Sequence, residues 1–497
     1  MSEEKASYRQ IMKATSIFGG VQVINIIISI VRSKFVAVLL GPGGMGIYGL
    51  FISTTGLIEK ITNLGLSTSA VRNVASAYAS ENRTRIGTVV SVLRQLVWIT
   101  GVLGAVFTFF FAPLLSKLTF GDSEYTVGFR WVAITLLLSQ ITAGQMVVLQ
   151  GMRQIHFLAK ANMGGSIAGL LISVPIYYIW GLDGIVPAII VSSIVAVLLS
   201  WYFSSRVSIE KVKVDKKTVI GEGSDMVKLG FMLSLSSLIA MASSYLIRIF
   251  ISNNGNVDEV GFYNAGFAII NTYVGMVFSA MSTDYFPRLS GVAHDRGKTQ
   301  AVINQQAEVA VLILAPILAV FLIFINWVII LLYSNRFLPV VSMIHWAALG
   351  VFFKAASWPI AYLIIAKGDS KTFFFSELAV HIYMLGFNIL GYLWKGLEGL
   401  GISYLAGYLL YVIQVFVIVR KKYLFSFSGT FIRIMVLQFL LGLACFAVSR
   451  FVSSPYLYLA GLAIISASTY YSYGELDRRL GLKTLLAERF NKKKEDK

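Results

Sequence analysis

The chain reads as an all-α polytopic membrane protein, and three observations carry that class. Only 13% of its 497 residues are charged, against roughly 25% in soluble domains. Hydrophobic residues make up 57% and the mean hydropathy is +0.74. Apolar runs of about 20 residues, the length a helix needs to cross the hydrocarbon, recur along the sequence. Together these exclude a cytosolic enzyme, a disordered chain and a disulfide scaffold. The 43 glycines agree, since glycine is commoner in membrane helices than in soluble ones.

On that ruler the chain holds about fourteen spans. They lie near 16–40, 45–66, 88–112, 127–150, 161–180, 184–204, 227–252, 260–284, 306–333, 340–366, 373–393, 400–420, 430–450 and 456–473. The first run is too long for the apolar core of a signal peptide, roughly 7–15 residues, and reads as a retained helix. Longer loops are expected near 67–87, 205–226 and 285–305. Cys445 is the single cysteine, so neither an intramolecular disulfide nor a cysteine-based metal site is expected. No cofactor is expected either.

The net charge of +18 first suggests nucleic acid, but an oily chain offers no continuous basic face, and no nucleic-acid partner is expected. Topology explains the charge instead. Lys and Arg accumulate on the cytoplasmic side of a membrane. With fourteen spans both termini share one side, whose segments and adjoining span ends carry 31 of the 42 Lys and Arg. The other side carries Lys117, Arg130, Arg336, Lys395 and Arg450. Both termini are therefore expected in the cytoplasm. The tail lysines Lys492, Lys493 and Lys494 read as a solvated end near anionic headgroups.

The sequence repeats at a spacing of about 215. Gly46-Ile47-Tyr48 matches Gly261-Phe262-Tyr263, and Gly181-Leu182-Asp183-Gly184 matches Gly396-Leu397-Glu398-Gly399. Arg32 pairs with Arg248 and Arg72 with Arg288 at 216, Gly151 with Gly368 at 217. Each repeat holds six spans, and spans one and seven run the same way. Parallel repeats of this kind are a transporter arrangement, whereas a channel is more usually assembled from several copies of a smaller unit. The expected organisation is an N-lobe at 1–210, a cytoplasmic linker at 211–226, a C-lobe at 227–422, an appendix of two helices at 430–473 and a basic tail at 474–497.

Charges inside spans are costly and must face protein or water, so they point to function. Gln22, Asn25, Ser29 and Arg32 fall on one face of span one, spaced 3, 4 and 3. Ser234, Ser237, Met241, Ser244 and Arg248 repeat the stripe on span seven. The serines also suit plain interhelical hydrogen bonding. Lys354 lies near the middle of span ten, too deep to snorkel easily, with Ser357 a turn on. A cavity bearing Arg32, Arg248 and Lys354, with Lys60 in addition, would attract an anion, because arginine offers a fork for phosphate oxygens and lysine a point charge. Glu59, Asp284, Glu308, Glu377 and His381 are candidates for ion or proton coupling. The acids serve equally well as salt-bridge partners of Lys354 or Arg94. Asn388 shares a face with Glu377 and His381. His345 is expected to be packed, and Arg94 and Arg130 to snorkel. No phosphate-binding glycine loop and no His-Glu-x-x-His occurs, so ion-gradient or potential-driven transport is favoured over an ATP-driven pump or an enzyme.

Several segments resemble the Wzx-type polysaccharide flippases. They are Arg32-Ser-Lys-Phe-Val-Ala-Val-Leu-Leu-Gly-Pro-Gly-Gly-Met-Gly-Ile-Tyr48, Val260-Gly-Phe-Tyr-Asn-Ala265 and Tyr285-Phe-Pro-Arg-Leu-Ser290. A fourth, Leu149-Gln-Gly-Met-Arg-Gln-Ile-His-Phe-Leu-Ala-Lys-Ala-Asn162, resembles the loop after span four in those proteins. The resemblance covers the chain to about residue 420. It implies the multidrug/oligosaccharidyl-lipid/polysaccharide exporter superfamily and a MATE-like fold of two parallel six-helix lobes. It also implies a bacterial inner-membrane flippase for undecaprenyl-pyrophosphate-linked oligosaccharides, with a glycan polymerase among possible partners, membrane lipids around it and a monomer as the transport unit. Two departures stand out. Many Wzx proteins have twelve spans, and many relatives carry an Asp before the span-seven arginine, where this chain has Ile247. A lipid II flippase, a drug antiporter and a membrane-embedded glycan-assembly enzyme are the alternatives. For the last, the longest outer loop, near 113–126, offers only Asp122 and Glu124 as acids.

Overall fold

The structure, a computed structural model, describes residues 23–480. Among them every regular element is helical. Helix α1 is described over residues 23–39. It is followed by α2 (Gly41–Asn63), α3 (Leu66–Ala79), α4 (Arg83–Phe110), α5 (Ala112–Phe120), α6 (Thr126–Gly151), α7 (Ile155–Trp180), α8 (Ile185–Ser205) and α9 (Lys216–Asn254). Then come α10 (Val257–Ala268), α11 (Gly275–Val292), α12 (Arg296–Leu332), α13 (Val341–Ala366), α14 (Ser370–Tyr423), α15 (Gly429–Phe451) and α16 (Tyr456–Leu480). A wide π-helical turn, Ile269–Val274, joins α10 to α11.

Nine helical segments among the described residues are long and apolar enough to cross a membrane. Two of them, Ile155–Ser205 and Ser370–Tyr423, are long enough for two crossings each. Gly181 and Gly396 turn the chain inside them. Gly181 has φ 56° and ψ −130°, and Gly396 has φ 56° and ψ −132°, a region that glycine alone adopts without strain. The two corners are repeat-equivalent and have the same backbone. Closure follows the same rule. Gly184 lies against the carbonyl of Ile176, and Gly399 against that of Gly391.

The chain divides into two compact units. The first ends at Gly261 and takes in Leu332–Arg336; the second comprises Phe262–Leu331 and the chain from Phe337. In the first, Leu66, Val74, Val89, Leu93, Val148 and Met226 build a core from α3, α4, α6 and α9. There too α2 and α10 start against each other. A Cβ on Gly46 would overlap the carbonyl of Val257, and one on Gly261 the carbonyl of Pro42. Both pairs are repeat-equivalent, so the two contacts mirror one another. In the second unit, Tyr285, Leu289, Ile303, Ile360, Leu363 and Val415 form a core across α11–α14.

Three loops expected from the sequence differ in the structure. The segment after span two is mostly helix α3, set off by left-handed backbone at Leu64 and Gly65. The linker begins as an irregular strap over 206–215 but becomes the first turns of α9 at Lys216, capped by Asp215, whose carboxylate accepts from the Thr218 amide. The loop near 285–305 is nearly absent, because α11 runs to Val292 and α12 begins at Arg296. Polar composition shortens an apolar run without ending a helix, and only caps and backbone breaks end one. Gln22 and the lysine-rich tail lie outside the described residues.

Candidate functional site: half-buried cations in two units

In the first unit Arg32 reaches from α1 into a hollow of about 290 Å3. Tyr48, Thr142, Asn162, Tyr177 and Ser192 line it with Arg32, and no carboxylate does. Among the described residues the Arg32 Nε, Thr142 Oγ1 and Ser192 Oγ are buried without hydrogen-bond partners. Buried polar groups are nearly always satisfied, so three orphans in one hollow mark a place built for a polar guest. Asn25 has an unpartnered Oδ1 but does not line the hollow. Ser29 is exposed.

Arg248, the repeat-equivalent arginine, is arranged differently. Its Nη1 donates to the Ser244 carbonyl at 2.7 Å and to the Ser244 hydroxyl one turn back. Glu59 and Lys60 sit half-buried at the far end of α2. The Glu59 carbonyl accepts from Gln140 Nε2 at 3.4 Å, and no ion pair joins the two side chains.

In the second unit Lys354 occupies an aromatic cradle. Its Nζ lies 5.6 Å from the Phe278 ring centre and 5.3 Å from that of Tyr408. It donates to Asn271 Oδ1 at 3.3 Å and lies 3.5 Å from Tyr404 Oη. The wide turn at Ile269–Val274 supplies Asn271; such turns gather at functional sites. Among the described residues no carboxylate lies within ion-pair distance of Lys354, so ring faces and neutral oxygens hold the ammonium.

The candidate acids do not gather around it. Asp284 is largely exposed beside Arg288 at 3.8 Å. Glu308 is buried, 3.0 Å from Arg479 Nε and 3.1 Å from Ser428 Oγ, where it ties α16 to α12. Glu377 and His381 come together as expected, 4.0 Å apart, with Tyr411 donating to Glu377 Oε1 at 3.1 Å. His345 is packed against the Leu322 carbonyl, 3.1 Å away. Arg130 sits 5.8 Å from the centre of the Phe109 ring.

The partners of the cations were the least visible part. Thr142, Ser192 and Asn271 are ordinary polar residues in apolar runs, and nothing local marks them. Tyr404, Tyr408 and Tyr411 did leave a signal, since spacings of 4 and 3 put three phenols on one helix face.

A sequence profile described as "Polysaccharide biosynthesis protein" matches residues 35–342. This chain belongs to that family. A protein of Escherichia coli (strain K12) named Lipid III flippase is 23% identical over 389 residues, which cover 76% of this chain and 90% of that one. Among solved structures, the inward closed conformation of the lipid II flippase MurJ matches with a TM-score of 0.70 at 12% identity, covering 94% of this chain and 99% of that one. An inward-facing MATE-family multidrug transporter of the MOP superfamily matches with a TM-score of 0.64 at 15% identity, over 80% of this chain and 94% of its own. The fold is thus similar to those of MurJ and the MATE transporter. The relatives and solved structures that the chain resembles are named as flippases and a transporter, and the chain has nine described segments long and apolar enough to cross a membrane.

Proposed function

We propose that the chain is a flippase for an undecaprenyl-pyrophosphate-linked oligosaccharide of the O-antigen type. It moves the cargo from the cytoplasmic to the periplasmic leaflet of the bacterial inner membrane by alternating access, driven by an ion gradient or the membrane potential. Both termini lie in the cytoplasm, the lobes divide near the 211–226 linker, a monomer is the transport unit, and a glycan polymerase is a partner. The observation that carries this reading is that both deep cations, Arg32 and Lys354, sit in carboxylate-free surroundings. A cation without a counterion inside a membrane protein awaits an anion, and a pyrophosphate supplies one while its sugars meet the hydroxyls and tyrosines nearby. The Lipid III flippase similarity over 90% of that protein supports the same cargo class.

The fold likeness to MurJ keeps lipid II as the second cargo. A cation-exporting drug antiporter is disfavoured, because it would line its cavity with acids. Purified protein in liposomes, given a labelled undecaprenyl-pyrophosphate oligosaccharide, tests the proposal. Flipping that falls in Arg32→Ala and Lys354→Ala supports it; unchanged flipping in both, or transport of lipid II alone, overturns it.

A further inference from the structure

A hollow of about 610 Å3 opens on the flank of the first unit, between α4, α6, α8 and the strap 206–215. Nothing in the proposed transport cycle uses it. Its floor is apolar, with Val97, Val148 and Val197 among the lining residues. Two tryptophans stand at its edges, Trp98 at 53% and Trp201 at 60% exposure. Two cations complete it, Arg94 from α4 and Lys211 from the strap. Neither makes a hydrogen bond or ion pair with any described residue, and no carboxylate lines the hollow. The nearest acid in sequence, Glu210, is engaged elsewhere, accepting from Thr84 Oγ1 at 3.3 Å.

The position fixes the kind of ligand. Arg94 lies eleven residues into α4, about 16 Å along the helix from Arg83. The span begins near residue 88, so Arg94 lies about 9 Å inside it, and a snorkelling side chain reaches the headgroups from there on the side expected to carry Lys211, Lys213, Lys216 and Lys217. Tryptophans favour the same depth. Basic pockets between membrane helices hold anionic headgroups, and an apolar floor running inward from them suits an acyl chain.

We propose that this hollow binds one anionic phospholipid, with its phosphate between Arg94 and Lys211 and an acyl chain along the floor between Trp98 and Trp201. The site is separate from the Arg32 hollow and stands whether or not the cargo assignment holds.

Tryptophan quenching tests it, using the full chain in nanodiscs doped with brominated phosphatidylglycerol or brominated phosphatidylcholine. Each basic residue near a headgroup is worth roughly a factor of five, so two predict about a thirtyfold preference for the anionic lipid. The preference should vanish in Arg94→Gln/Lys211→Gln and survive in Arg94→Lys. It should also vanish in Trp98→Phe/Trp201→Phe, which locates the lipid. The substituted side chains face the hollow, and an unchanged melting temperature verifies the fold. Equal quenching by the two lipids in the unmodified protein overturns the proposal, as does a preference that survives the double Gln variant. Stoichiometric displacement of the phosphatidylglycerol by undecaprenyl phosphate also overturns it, since the cargo's own lipid would then be the occupant.

Discussion

The two repeats share their backbone and not their charges. Gly181 and Gly396 turn two helical hairpins at the same dihedral angles, and Gly46 and Gly261 make mirrored backbone contacts. Yet Arg32 and Arg248, equally equivalent in sequence, have different surroundings. Arg32 faces a hollow with an unpartnered Nε, whereas Arg248 donates to its own helix at Ser244. Backbone geometry depends on local sterics that a glycine preserves. An arginine's role depends on the groups within its reach: Arg248 has Ser244 four residues back to donate to, whereas the residue four before Arg32 is Ile28.

The largest effect is expected at the mirrored glycines. Gly46→Val and Gly261→Val each place a Cβ on a carbonyl oxygen, and each should destabilise by roughly 3 kcal/mol, the upper part of the overpacking range. Melting temperatures measure it, and a large loss in one variant with none in the other would refute the mirror relation.

Next come the arginines. Arg32→Ala should cut flipping in liposomes at least about tenfold, or about 1.4 kcal/mol. Arg248→Ala should cut it less than about threefold, since its hydrogen bonds to Ser244 already occupy it. Equal losses would restore functional symmetry to the pair.

The two glycine corners should respond alike. Gly181→Ala and Gly396→Ala should each cost about 1–3 kcal/mol in unfolding free energy, because alanine is strained at those angles. Matching values are expected from matching backbones.

The smallest effect concerns a clasp that only the second repeat possesses. The ammonium of Lys422, 2.8 Å away, together with Thr372 and Tyr423, holds the Asp369 carboxyl well below the usual carboxylate range. A depressed folded value stabilises above the unfolded value, about 3.9, and this contribution is lost as pH falls through the folded value. Asp369→Asn should therefore lower the melting temperature slightly at pH 7, and the gap to the unmodified protein should close progressively below about pH 4. A gap that grows on acidification would show the opposite linkage.

Much of this was legible before any coordinates. Apolar runs gave the helical membrane class, because the bilayer imposes one length on every crossing, and nine described segments are long and apolar enough to cross. The 215-residue offset located both corners, because glycine is irreplaceable at those backbone angles. Ends were harder to read. Helix α3 and the first turns of α9 carry polar residues that hydropathy assigns to loops, yet caps and neighbours keep them helical. Of the candidate site, Arg32, Lys354 and the Glu377–His381 pair were found by their chemistry. Their surroundings were not, because a hollow is made by helices far apart in sequence.

The sequence by itself determined the class, the repeat and the identity of the deep charges, since each follows from composition or from local geometry. Only the tertiary structure decided which charges are spent. It engaged Glu308 with Arg479 and, among the described residues, left Arg32 and Lys354 without a carboxylate. A charge is satisfied by whatever oxygen or nitrogen packing brings within about 4 Å, and distance in space is what a linear sequence does not record.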